Sequence, residues 1–142
     1  MSDRTFQATI PAAAVGVDTE TVVGSITADW APFGVRVDAV RYTPVTTITG
    51  VNTNTRKLEV WNRGPAGAGT TVLASKQFDS GVNAPALSDT PVSPTTAGVG
   101  TPQVPAALPG DTLTARSIHV GTGLADPSGL VEVDVSRFAA PS

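Results

Sequence analysis

The sequence predicts an all-β fold: a two-sheet antiparallel β-sandwich of seven or eight strands with jelly-roll or Greek-key connections. Three observations predict it. No window of ten or more residues repeats apolar positions at i, i+3, i+4 and i+7, so the helical period is missing. Several segments rich in valine and threonine instead alternate apolar and polar residues with period two. Between them the 14 glycines and 12 prolines supply frequent breaks. Turn signals at short intervals between such segments suit two packed sheets, and a closed barrel fits the same pattern.

The first strand, Arg4 to Ile10, sets Phe6, Ala8 and Ile10 on one face and ends at Pro11. In the second, Glu20 to Asp29, the residues Val22, Ile26 and Ala28 line up with Trp30 and are expected inward. The third, Val35 to Thr43, starts with Val35, Val37 and Ala39 on one face, but Val40 and Tyr42 have the opposite parity. That slip predicts a β-bulge or a strand that moves between sheets. Arg56 to Trp61 places Leu58 and Val60 together and Glu59 and Trp61 opposite. Thr71 to Phe78 follows a loop, "NRGPAGAGTT".

Residues 79–110 hold six prolines and four glycines in "SGVNAPALSDTPVSPTTAGVGTPQVPAALPG" and its preceding Asp79, a density expected to exclude a central strand. Order returns at "GDTLTARSIHV", where Leu113 and Ala115 give way to Ile118 and Val120 and predict a second bulge near Arg116 or Ser117. The last strand, Leu130 to Phe138, alternates most regularly, with Val131, Val133 and Val135 inward. Seven strands are counted this way, and "TTIT" at 46–49 is the candidate eighth. The organisation expected is an extended N-terminal arm with a short strand at 1–17, then one domain over 18–142 with the long excursion at 79–110.

A chain of 142 residues suffices for one domain that buries about 68% of the surface its unfolded form exposes. There are no cysteines, which removes disulfides and thiolate metal sites. Nine Lys and Arg against twelve Asp and Glu, scattered singly, provide no basic stripe for a phosphate backbone, so no nucleic-acid partner is expected. The polar start "MSDRTFQATIPAAAVGV" lacks the apolar run of a signal peptide, and no segment reaches membrane-spanning length. Synthesis and folding in a cytoplasm, with no membrane partner, are the expectation.

Candidate chemistry is sparse, and no catalytic residue, cofactor or metal is expected. His119 is the single histidine and lies between strand-forming Ile118 and Val120. Ser117 shares its face, but the glycine elbow that exposes a nucleophilic serine is missing. Glu132 and Asp134 are spaced for a glycosidase carboxylate pair, yet alternating acids on an outer strand face are the ordinary solvated pattern. "DPSG" at 126–129 lacks the dense oxygen ligands of a calcium loop and matches a type I turn, with Asp126 first, Pro127 second and Gly129 fourth. The glycines of "GPAGAG" and "GTG" neither lead into a helix nor carry the lysine of a phosphate loop.

The stretches "ITGVNTNTR", "NRGPAGAGTT", "GDTL" and "GTGLADPSGL", in that order over residues 20–138, resemble capsid decoration or minor head proteins of tailed bacteriophages, especially those of actinobacteria. The resemblance implies a jelly-roll-like protein that assembles as a homotrimer on the outer surface of a virion. There it bridges neighbouring copies of the major capsid protein and stabilises the shell. The low lysine content suits an exterior position, and multivalent contacts would strengthen the grip.

The elements expected to meet capsid or subunit are the N-terminal segment, through Phe6, Ile10, Pro11 and Val15, and the stiff excursion, through Pro91 and Pro94. Both elements have a second reading in which they wrap their own subunit. Trp61, flanked by Glu59 and Arg63 on its own face, is the candidate interface aromatic. The alternative function is a receptor- or carbohydrate-binding module of a phage tail or fibre, with Trp61 stacking on sugar rings. A chain with two Trp, four Phe and one Tyr is poor in the aromatics such a groove uses.

Overall fold

The computed structural model describes residues 3–95 and 105–139. Eight strands follow in chain order: β1 Arg4–Ile10, β2 Thr19–Ser25, β3 Val35–Pro44, β4 Thr55–Asn62, β5 Thr71–Gln77, β6 Thr90–Pro94, β7 Thr112–Val120 and β8 Gly129–Arg137. Among the described residues there is no helix. All pairings are antiparallel, in the order β1-β8-β3-β6-β5-β4-β7-β2.

Four of these pairs join the first half of the chain to the second in reverse: β1 with β8, β2 with β7, β3 with β6, and β4 with β5. They amount to one long antiparallel ribbon. Rolling the ribbon up adds β3–β8, β4–β7 and β5–β6, which gives an eight-stranded jelly roll. At the remaining seam β1 approaches β2, and the Phe6 ring lies on Gly24, where a β-carbon would come within 2.6 Å of it.

Inward residues meet in one core that includes Ile10, Val35, Val37, Val40, Tyr42, Leu58, Val60, Leu73, Phe78, Leu113 and the three valines of β8. The slip in β3 is real: its register against β8 shifts between Val37 and Ala39. Asp38 is thereby turned outward, where Arg36 and Ser136 bind it.

Several expectations are corrected. In β2 the register shifts between Val22 and Gly24, so Val23 is buried and Val22 is 62% exposed. No such shift occurs where β7 pairs with β4; Leu113, Ala115 and Ser117 stay inward, and Ile118 and Val120 lie half-buried on the other face. The parity of β7 misled because its third inward residue is a serine. The eighth strand is β6 rather than residues 46–49, of which Ile48 alone forms a bridge, to Ala84.

The placement of β6 between β3 and β5 also overturns the exclusion of a central strand from the proline-rich excursion. It is short, and it divides its pairing: Thr90, Pro91 and Val92 lie opposite β3, Ser93 and Pro94 opposite β5. Two prolines are tolerated because neither neighbour requires a full ladder from it. The rest of the excursion includes residues 96–104, which fall outside the described residues.

The first segment belongs to the roll: β1 pairs with β8 from Arg4 opposite Val135 to Ile10 opposite Gly129. Strand direction alternates along the whole order. Loops 11–18, 45–54, 78–89 and 121–128 therefore emerge at one end, and loops 26–34 and 63–70 at the other, with residues 3 and 139.

Candidate interaction surface

At the first end a buried polar cluster ties loops 11–18 and 121–128 together. Arg56 shares the inward parity of Leu58 and Val60 on β4, and its side chain is fully buried. Its guanidinium donates to the carbonyls of Val17 at 2.7 Å and Ala14 at 3.1 Å in the first loop, and through Nε to that of Leu124 at 2.8 Å in the last. A longer bond of 3.4 Å reaches the Ser117 hydroxyl. A planar donor array thus meets three backbone acceptors from two loops at once. Burial pulls the guanidinium below its ordinary pKa, and Asp126 opposes that shift.

Asp126 collects the complementary donors. It is 2% exposed and accepts from the Tyr42 hydroxyl at 2.6 Å, the Ser117 hydroxyl at 2.5 Å and the Ser128 amide at 3.0 Å. Its backbone forms a two-way bridge with Ala13, with N···O distances of 2.8 and 2.9 Å. The "DPSG" stretch is therefore more than a turn, and it is not type I, because Ser128 has a φ of 87°. Three bonds hold that conformation: the Asp126 side chain on its amide, its hydroxyl on the Ile10 carbonyl at 2.6 Å, and the Val45 amide on its carbonyl at 2.9 Å.

The rigid end exposes apolar side chains. Val15 and Val17 stand out from the first loop, Val45 from the second and Leu87 from the third. Leu87 is 79% exposed and has a φ of 55°, with its amide fixed to the Pro44 carbonyl at 2.9 Å. The neighbouring Ala86 amide is held by the Thr47 hydroxyl at 3.0 Å.

The expected contact residues are not brought onto one surface. Pro11 and Val15 are exposed at the loop end just described. Ile10 is fully buried and contributes to the core, which removes it from any contact surface. Phe6 is half-buried toward the opposite end, edge-on to Trp30 with ring centroids 6.3 Å apart. Pro91 is exposed on β6 and Pro94 half-buried there. Trp61 lies half-buried on the outer face of β4, its indole bonded to Glu59 at 2.9 Å and its ring against Arg63 and Arg116, at 4.8 and 4.3 Å from the centroid. Sequence reading missed Val17, Val45 and Leu87; the signal was single apolar residues inside polar, proline-marked loops.

Both outer faces satisfy their own charges. Arg41 holds Asp134 through two bonds of 2.6 and 3.2 Å, with Glu132 3.8 Å away. Those bonds lower the Asp134 pKa, against the opposing effect of burial, which is the reverse of what a general acid needs. On the other side Arg63 grips Glu20 with two 2.7 Å bonds, Thr114 adds a third, and the carboxyl is drawn down to about 2 although burial opposes it. His119 binds Asp18 at 2.6 Å, whereas Ser117 is buried on Asp126, so serine and histidine serve different carboxylates. Among the described residues no three His, Asp or Glu are grouped to hold a metal ion.

No protein-family model and no curated protein matches the chain. Among solved structures it is similar to a chain from "Structure of infectious bursal disease virus Gx strain", with a TM-score of 0.36 and 11% identity. That match covers 99% of this chain and 34% of the other, so this chain spans about a third of the length of the solved one.

Proposed function

We propose that the chain is a structural virion protein that decorates the outer surface of a tailed-phage head, bridges neighbouring copies of the major capsid protein and associates with itself. The observation that carries this reading is the contrast between ends and faces. The outer faces spend their charged groups on one another, while the loop end holds Val15, Val17, Val45 and Leu87 exposed on a backbone fixed from within. A preorganised apolar surface loses little entropy on docking. Many copies on a repetitive shell then multiply a modest single contact. The jelly roll and the quoted sequence motifs support the same reading, and no catalytic step is assigned.

The test is sedimentation of purified protein with phage heads that lack it. Saturable binding at a fixed ratio to the capsid protein, with added heat resistance of the heads, is the expected result. Val15→Asp and Val17→Asp should each abolish it without unfolding the protein. Unsaturable or absent binding to heads overturns the reading. Glycan recognition by a tail or fibre module would then be tested on host cells. That second reading has less support because Trp61, its candidate stacking residue, already lies against two guanidinium groups.

A further inference from the structure

The loop end carries charge of one sign. Its four loops, 11–18, 45–54, 78–89 and 121–128, contain four aspartates and no lysine, arginine or glutamate. Of the nine basic residues in the sequence, eight lie on strands and Arg63 lies in a loop of the opposite end. Asp126 is buried, with buried Arg56 near it, but Asp18, Asp79 and Asp89 are exposed.

No basic side chain of the flanking strands cancels these three. Asp79 makes no ion pair among the described residues. Asp89 accepts from the Thr43 hydroxyl at 3.0 Å and has Arg41 4.0 Å away, yet its side chain is 63% exposed. Arg41 is itself held by Asp134 at 2.6 Å, with Glu132 at 3.8 Å. Lys57 lies 3.7 Å from Glu59, and Lys76 is half-buried on β5. Asp18 directly follows exposed Val17, and Asp89 lies two residues after exposed Leu87. Acid and apolar groups are therefore interspersed on one end of the roll.

We propose that the loop end recognises a protein surface of opposite charge on the shell: an apolar patch bordered by lysine or arginine side chains. Charge complementarity selects this occupant. A second copy presenting the same end would set carboxylate against carboxylate, and a nucleic acid or an anionic membrane would be repelled in the same way. The valines and Leu87 supply the holding contact, while the aspartates steer the approach and fix the register. The proposal rests on the decoration reading and adds to it the chemistry of the partner surface.

Sedimentation with phage heads that lack the protein, carried out at about 50 and about 500 mM sodium chloride, tests it, because screening shortens the reach of exposed charges. The dissociation constant should rise by about tenfold between the two conditions. A contact made by apolar burial alone would keep its affinity or tighten as salt rises. Two substitutions with the same change in net charge then locate the effect. Asp79→Lys should weaken binding at the lower salt by about tenfold, and Asp79→Asn by less. Asp29→Lys, at an exposed position of the opposite end, should leave binding unchanged. Both positions are exposed, so circular dichroism should match the wild type.

Equal affinity at the two salt concentrations, or tighter binding at the higher one, overturns the proposal and leaves decoration standing. So does a loss from Asp29→Lys as large as that from Asp79→Lys. Wild-type protein that binds heads at neither salt concentration refutes decoration and this contact with it.

Discussion

The Tyr42 hydroxyl donates a 2.6 Å hydrogen bond to Oδ1 of Asp126, a residue 84 positions further along the chain, and both side chains are buried. The bond fastens the end of β3 to the loop between β7 and β8. It makes the alkaline behaviour of the protein a direct report on that fastening.

Burial, reinforced by the Asp126 carboxylate, pushes the Tyr42 phenol far above its ordinary value of 10.0. A raised folded-state pKa contributes stability that is full below the unfolded pKa and declines as pH rises beyond it. Tyr42 is the one tyrosine in the sequence, so tyrosinate absorbance reads it without interference. At about pH 11 native protein should show almost no tyrosinate, against the unfolded chain in which most is ionised. Tyr42→Phe should cost about 1–3 kcal/mol and flatten the alkaline loss. Ordinary titration near pH 10 in folded protein would mean the phenol is open to water.

Removing Arg56 should be the costliest polar substitution. Arg56→Met leaves the carbonyls of Val17 and Leu124 without the guanidinium donor, that of Ala14 with the Val17 amide alone, and Asp126 without a nearby cation. Breaking a buried charged cluster from one side typically costs about 3–5 kcal/mol, measurable by urea unfolding. Arg56→Lys keeps the charge but not the planar fork, and should recover part of the loss. Amide exchange should rise first at Ala13 and Asp126. A cost below about 1 kcal/mol would show that water replaces the guanidinium.

Gly129 begins β8 opposite Pro44, the last residue of β3. A β-carbon there would lie 2.5 Å from the Thr43 carbonyl oxygen, 2.6 Å from Cε1 of Tyr42 and 2.8 Å from the Pro44 Cα. Two of those three atoms are backbone and cannot swing aside. Gly129→Ala should destabilise by about 1–3 kcal/mol, the usual cost of overpacking. A neutral effect in thermal unfolding would require the two strands to separate freely.

Acid sensitivity should centre on Glu20. Arg63 hydrogen bonds, aided by Thr114 and against the effect of burial, lower its pKa from 4.5 to about 2. A lowered folded-state pKa contributes stability present above pH 4.5 and lost as pH falls toward 2. Solvent exposure screens the pair, so the contribution is modest. Glu20→Gln should lower stability at neutral pH and reduce its dependence on pH between 4.5 and 2, followed by chemical denaturation at several pH values. An unchanged acid limb would assign that loss to other carboxylates.

Much of the fold was legible. Period-two alternation located β1, β3, β4, β5, β7 and β8 because each buries one face, and the parity slip at Val37–Val40 announced the bulge in β3. Less of the interaction surface was legible. Pro11 and Val15, expected to meet capsid or subunit, lie at the surface, while Ile10, expected with them, is core because its strand pairs within its own roll. Arg56 shares parity with Leu58 and Val60, a signal that a charged residue faces inward, but its partners could not be read from the sequence.

By itself, then, the sequence determined the class of structure, the inward faces of most strands and the lack of cysteine chemistry, since these follow from local alternation and composition. Tertiary structure alone decided the rest. Pairing β1 with β8 and β3 with β6 brings together residues more than a hundred and about fifty positions apart. Local propensity is blind to such partners. Rolling the ribbon set Asp126 against Tyr42, Ser117 and, through it, Arg56, converting a turn residue into the knot of the loop end. The same rolling gathered Val15, Val17, Val45 and Leu87 at one end, because strand direction alternates at every step around the roll.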